Sequence, residues 1–243
     1  GSPYYKDFPP FTIRDIVRAH RLLAGALGIG RIDTLVGSSV GGFQAIEWAV
    51  LEPERIGKLI LIATAARAQP WTIAADEAQR MALEADTTFG TDSPDAGRRG
   101  MEAARAIGLL TYRGSSAYNA TQQEHDDPDK TRGFRACSYQ RHQGEKLSRR
   151  FDAYSYRRIT EAFDSHNVGR GRGGVERALG TIGADTLVVG ITSDIILPVG
   201  EQLALWRHIP HCRMELIVSD FGHDGFLVEH AKLDAILGPF IES

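Results

Sequence analysis

The residues best placed to do chemistry begin with Gly37-Ser38-Ser39-Val40-Gly41, a serine centred in a G-x-S-x-G pattern. A serine hydroxyl is a weak nucleophile until a base takes its proton, and it must also stand clear of its neighbours. A sharp strand-to-helix turn exposes it, provided the flanking residues are small enough for the chain to double back. Glycine-rich turns also cradle phosphates, but the lysine of a phosphate loop is absent here. A nucleophilic serine needs a base, and the base needs a carboxylate to orient it. Asp194 stands three residues past an apolar run ending at Ile191, and His223 five residues past one ending at Val218. Serine, then acid, then histidine, the last two each just beyond a strand, is the order in which one large class of hydrolytic folds carries its triad. Asp220 is a rival acid on the histidine's own loop, and an Asp after a strand is otherwise a helix cap. His208 and His211 mimic metal spacing, but no carboxylate or cysteine completes a set and Pro210 breaks any helix, so no metal site is expected.

The elements that must position these residues alternate. Thr12 and Asp15 form a capping box for a helix whose apolar face is Ile13, Ile16, Val17, Leu23 and Leu27, with Gly28 as its stop. A strand over 32–36 breaks at Gly37, a helix follows until Pro53, and 58–63 is an uninterrupted run of the kind buried on both faces of a parallel sheet. From about 66 to 183 the pattern turns helical, over 73–85, 97–110 and 145–163, with polar loops at 91–94 and 124–128. The Gly/Arg tract at 169–174 reads as a mobile connector. Sheet pattern then returns, with a strand over 186–191, a helix over 199–207, a strand over 214–218 and a closing amphipathic helix over 225–237. These segments predict an α/β fold of the α/β-hydrolase type, a mostly parallel sheet with a helical lid inserted in it. The core occupies 1–65 and 184–243, and the lid 66–183.

The totals fit this reading. The 243 residues, 42% hydrophobic and 24% charged, suffice to bury a core. The formal charge of −3 gives no reason to expect nucleic acid or a membrane surface as a partner. Cys137 and Cys212 are isolated and read as free or buried thiols. No apolar stretch is long enough to span a bilayer and no signal pattern opens the chain, so a cytoplasmic protein is expected.

Several further segments resemble one family. Phe8-Pro9 with Phe11-Thr-Ile-Arg-Asp15, Gly37-Ser-Ser-Val-Gly-Gly-Phe-Gln44, Ala104-Arg105 with Leu110-Thr-Tyr-Arg113, Gln143-Gly-Glu-Lys146, Arg150-Phe-Asp-Ala153 and Gly222-His-Asp-Gly-Phe-Leu227 resemble the homoserine O-acetyltransferases, in that family's order. The resemblance implies a ping-pong acyl transfer with acetyl-CoA as co-substrate and no permanently bound cofactor. Ser39, deprotonated by His223 and supported by Asp194, would take the acetyl group and pass it to the hydroxyl of homoserine, a step of methionine biosynthesis. Arg105 would bind the amino acid's carboxylate and Asp224 its ammonium group, and a homodimer through the lid is implied. A salt bridge for Arg105 and a helix cap for Asp224 are the plainer alternatives.

This chain departs from the family's usual pattern at Ser38, Val40 and Phe43, which would reshape the acyl pocket, and at His142, where tyrosine is common. Against the family, the chain starts after the first strands of the sheet, which also supply the second oxyanion donor; the Val40 N–H is the donor that remains. A fragment lacking that donor, and therefore inactive, is one expectation. The others are a serine or homoserine O-succinyltransferase, or an esterase, on the same scaffold.

Overall fold

Thr12 opens the first helix, α1 (Ile13–Ala26), through a complete capping box. Its side chain accepts from the Asp15 N–H while the Asp15 carboxylate accepts from the Thr12 N–H. In this computed structural model, which describes residues 3–125 and 129–243, Gly28 ends the helix at φ 71°. The Gly28 N–H donates to Gly25 O and the Ile29 N–H to Ala24 O, the paired bonds of a Schellman stop. The buried stripe differs from the expected one. Ile13, Val17 and Ala24 are buried, whereas Leu23 and Leu27 are more than half exposed. Positions 13, 17 and 24 share a face; Leu23 is one residue, about 100°, off it, and Leu27 already lies at the cap.

The chain then alternates as its pattern predicts, through β1 (Ile32–Ser38), α2 (Val40–Leu51) and β2 (Ile56–Ile62), with Pro53 in the 3-10 turn that follows α2. Among the described residues six helices separate β2 from the next strand: α3 (Pro70–Glu84), α4 (Arg98–Tyr112), α5 (Ser115–Gln122), α6 (Arg135–Ser148), α7 (Ala153–Asp164) and α8 (Val175–Leu179). The run 145–163 is not one helix. Phe151 packs into the cluster around Leu83 and Met101, and Asp152 then caps α7 by accepting from the Ser155 N–H at 2.9 Å. Neither α5 nor the front of α6 shows an apolar stripe, because α5 buries nothing and α6 only Gly144. Of the polar loop expected at 124–128, residues 126–128 lie outside the described residues.

The tract 169–174 is fastened rather than loose. Arg172 holds Glu47 of α2 through both terminal nitrogens, Nη1 to Oε2 at 2.7 Å and Nη2 to Oε1 at 2.5 Å. Arg14 adds Nε to Oε1 at 2.6 Å. The Glu47 side chain is only 2% exposed, so its charge requires such partners. Just before the tract, the Ala68 N–H donates to His166 O and the Val168 N–H to Ala66 O, each at 3.0 Å. The segment between residues 68 and 166 thus leaves and rejoins the sheet at one stem, and α8 packs with the sheet's own core.

After the stem come β3 (Asp185–Ile191), α9 (Val199–His208), β4 (Cys212–Ile217), α10 (Gly225–Val228) and α11 (His230–Glu242). The closing helix expected over 225–237 is two helices, since Glu229 leaves helical backbone at ψ 51° and the coil restarts at His230. The four strands pair in parallel in the order β1-β2-β3-β4. Leu59, Leu61 and Val188 face α1, α2 and α9 on one side; Ile60, Leu187 and Val189 meet Leu233 and Phe240 of α11 on the other. This is an α/β-hydrolase fold. β1 is an edge strand, and its Val36 is 51% exposed. Because all four strands run one way, the loops after β1, β2, β3 and β4 gather at one end of the sheet, where a doubly covered α/β sheet binds its ligands.

Arg172→Met leaves Glu47 one arginine. It is expected to lower the unfolding free energy by about 1.5–3 kcal/mol, the range for hydrogen bonds to a charged group. Urea titration reads this; no shift of the midpoint would show that the tract does not fasten α2.

Candidate active site

Ser39 sits between β1 and α2 at φ 52°, ψ −125°, a backbone conformation that costs an ordinary residue of order 1–3 kcal/mol. Its surroundings hold it there. The Ser39 N–H donates to Ile62 O at 3.0 Å, continuing the β1–β2 ladder, while the Ser39 carbonyl accepts from the Thr64 hydroxyl at 2.7 Å and from the Gly42 N–H at 3.0 Å. A methyl group at Gly37 would collide with the Gly41 carbonyl and Ala45, and one at Gly42 with the Thr64 side chain. One at Gly41 would meet nothing within 4 Å. The second glycine that the turn needs is therefore Gly42, outside the five-residue motif. The Val40 N–H, first in α2, has no acceptor among the described residues and lies beside the serine at the positive end of the helix.

The structure brings Ser39, His223 and Asp194 together. His223 Nε2 lies 2.8 Å from Ser39 Oγ and its Nδ1 2.6 Å from Asp194 Oδ2. A carboxylate only accepts, so Nδ1 carries the hydrogen and Nε2 is left to accept from the serine hydroxyl. The other oxygen, Asp194 Oδ1, accepts from the Ile196 and Leu197 N–H groups at 2.9 Å each. Three donors thus fix a buried acid. The rival Asp220 is exposed and does not reach the imidazole.

An open cavity of about 300 Å³ lies over the serine, lined by Val40, Asp76, Arg105, Tyr112, His223 and Asp224 among others. Arg105, on α4, makes no ion pair among the described residues; its guanidinium lies over the Tyr112 ring at 5.3 Å. Asp224 occupies the cap position of α10 but makes no capping bond; instead Arg113 Nε stands 2.9 Å from its Oδ2. That N–H is not aimed at the carboxylate, so the contact is an ion pair rather than a hydrogen bond. Burial pushes the Asp224 carboxyl up, against the pull of Arg113 and, more weakly, of His223 and Arg105. Phe43 does not reach the cavity. It is buried behind α2 between Phe163 and His166, with ring centroids at 4.6 and 4.3 Å. Of the departures noted in the sequence, Val40 alone touches the cavity. His142 is exposed on α6.

Sequence reasoning did not single out Asp76. Its carboxyl accepts from Gln79 Nε2 at 2.9 Å and faces Asp164, which Arg80 holds at 2.6 Å. Burial first, and Asp164 second, push Asp76 up to about 8. Asp164 Oδ1 is buried with no other donor, which is where a proton on Asp76 is needed. Tyr112, pushed up to about 12 by burial, is likewise neutral. The packing of α3 against α7 brings the two carboxyls together.

The α/β hydrolase fold family model matches residues 2–230 of the chain. A homoserine O-acetyltransferase of Cyclobacterium marinum is 43% identical over 240 residues, which are 99% of this chain and 68% of that protein. The chain belongs to the homoserine O-acetyltransferase family. A solved homoserine O-acetyltransferase from Staphylococcus aureus, 31% identical, superposes with a TM-score of 0.81 over 98% of this chain and 67% of that one. Esterase E22 superposes as well, with a TM-score of 0.90 over 99% of this chain and 69% of that one, but at 22% identity it shows the shared fold alone. The transferase family's scaffold and a hydrolase's scaffold are thus one fold, and the chemistry must be read from the site.

The folded protein binds a proton at Asp76 that the unfolded chain, at 3.8, releases. Stability contributed here is therefore lost as pH rises from about 3.8 to about 8. Asp76→Asn, whose amide donates in place of the carboxyl, is expected to flatten that slope. In thermal unfolding it should exceed the parent at pH 8 and converge with it towards pH 4. A difference that does not vary with pH would mean that Asp76 is ionised in the fold.

Proposed function

We propose that this protein transfers an acetyl group from acetyl-CoA to the hydroxyl of L-homoserine in two steps through an acetyl-Ser39 intermediate. The observation that carries the reading is the relay from Asp194 through His223 to Ser39, at 2.6 and 2.8 Å, opening into a cavity that holds Arg105 and Asp224. In the first step His223 Nε2 takes the serine proton as Oγ attacks the thioester carbonyl. The imidazolium, held by Asp194, returns the proton to the departing thiolate sulfur, and CoA leaves as a thiol. The Val40 N–H is the backbone donor beside the developing oxyanion. In the second step the homoserine hydroxyl gives its proton to Nε2 and attacks the acetyl carbon; the proton then returns to Ser39 as the O-acetyl ester leaves.

A transferase on this scaffold must let an alcohol outcompete water, and positioning is the means, since a well-oriented neighbour can act at an effective concentration far above that of solvent. Arg105 and Asp224 suit the two ends of an amino acid, one cation and one carboxylate over a single cavity. The family membership supports homoserine as that amino acid. Residues of α3, α4 and α7 line the cavity, so the helical segment acts as the lid that excludes solvent.

CoA release from acetyl-CoA, with and without homoserine, is the test, with intact mass measured on the same sample. Release that depends on homoserine supports the proposal; equal release in its absence would make the protein a hydrolase, and faster release from succinyl-CoA would change the donor. Ser39→Ala is expected to lower kcat by at least ~10⁴, and unchanged transfer would remove Ser39 from the mechanism. Arg105→Met and Asp224→Asn are each expected to raise KM for homoserine about tenfold or more while slow hydrolysis of acetyl-CoA continues.

A further inference from the structure

At the cavity, the two oxygens of Asp224 have different surroundings. Arg113 Nε stands against Oδ2, and no donor among the described residues reaches Oδ1. Arg113 itself does not line the catalytic cavity. It lines a separate cleft with Ser115, Tyr118, Ser193 and Asp220, and so approaches Asp224 from behind.

The backbone fixes this approach. Arg113 ends α4, and Gly114 follows it against the histidine loop. A methyl group on Gly114 would strike the Asp220 carbonyl and the Gly222 nitrogen, and one on Gly222 would strike Gly114 and the Arg113 carbonyl carbon. Two glycines thus let the end of α4 and the loop before His223 meet main chain to main chain. The Gly222 N–H also donates to Ser193 Oγ at 2.9 Å, tying the same loop to the segment that carries Asp194. Arg113 and Asp224 sit on either side of this seam, each less than a third exposed.

Resting on the acyl-transfer reading above, we propose that Arg113 is a positioning residue for the acceptor. It holds Asp224 ionised with one oxygen engaged and the other turned to the cavity for the ammonium group. The charged and titratable groups facing Asp224 are Arg113 and Arg105 from α4, Tyr112 beside them, His223 on its own loop and Asp194 beyond. Burial alone drives Asp224 towards its neutral form, and Arg113 is the largest charge opposing it. A neutral Asp224 would lose its attraction for an ammonium group, so acceptor affinity would come to depend on pH when Arg113 is removed.

The test is steady-state transfer by the enzyme and its Arg113→Gln, Arg113→Lys and Asp224→Asn variants between pH 6 and 8.5, with acetyl-CoA hydrolysis without homoserine as the control. R113Q is expected to raise KM for homoserine about tenfold at pH 6.5, to recover part of that loss by pH 8.5, and to leave the control within about twofold. R113K, which keeps the charge, should stay within about threefold of the parent, and it decides the matter should R113Q not fold: a tenfold loss in R113K overturns the proposal. The R113Q and D224N pair should be no weaker than D224N alone, as for two residues acting through one contact. Unchanged KM in R113Q while D224N raises it overturns the role of Arg113 and leaves the acyl-transfer reading standing. Unchanged KM in D224N as well overturns the assignment of Asp224 on which both rest.

Discussion

Ser39 can be reactive only if strand becomes helix within a single residue, and that conformation is unfavourable for any residue with a side chain. The structure therefore depends on what holds φ at 52°. Part of the answer is local, since Gly37 and Gly42 leave room for the chain to fold back. The larger part comes from the neighbouring strand. Ile62 and Thr64, at the end of β2, take the serine's N–H and supply a hydroxyl to its carbonyl. The serine is thereby fastened to the end of the β1–β2 ladder. The parallel pairing that makes this possible also delivers Asp194 and His223 from the ends of β3 and β4 to the same edge. One choice of strand direction thus serves both the strained turn and the relay.

The buried carboxyls follow a common logic, which is that a buried carboxylate persists only where donors or cations surround it. Asp194 has three donors and orients the imidazole. Glu47 has two arginines and ties the helix behind the serine to the segment's stem. Asp224 has a single cation on one side. Asp76 makes no ion pair among the described residues and is neutral through burial and the neighbouring Asp164. Against these, Arg105 makes no ion pair among the described residues and lies next to an aromatic face in an open cavity. A cation with no ion pair among the described residues and a carboxylate engaged at one oxygen thus share one cavity with Ser39.

The helical segment is held at both ends rather than draped over the sheet. Its stem is a pair of backbone bonds between residues 66–68 and 166–168, and its far contact is the close approach of Gly114 and Gly222. Between them, α3 and α4 share a core with α7 around Leu83, Met101 and Ala104. The segment's position therefore bears directly on the His223 loop. The end of α4 and the loop before His223 meet main chain to main chain, with no side chain between Gly114 and Gly222.

The sequence by itself determined what rests on local pattern and on chain order. The capping box at Thr12, the buried run of β2, the turn at Ser39 and the succession of serine, acid and histidine are all written in near neighbours or in spacing past a strand. These are features that sterics and hydrogen bonding impose on any chain with those residues, and they were legible. The face of α1 that is buried, the break at Asp152 and the fastening of Arg172 were not, because each depends on what packs against it from elsewhere in the chain. Leu23 looks like a core residue until the strands take their places, and a Gly/Arg tract looks loose until a buried glutamate lies within reach. Asp76 and Arg113 belong to the same group. Their significance lies in partners 88 and 111 residues away, Asp164 and Asp224, and only the folding of helices across the end of the sheet decides that those residues meet.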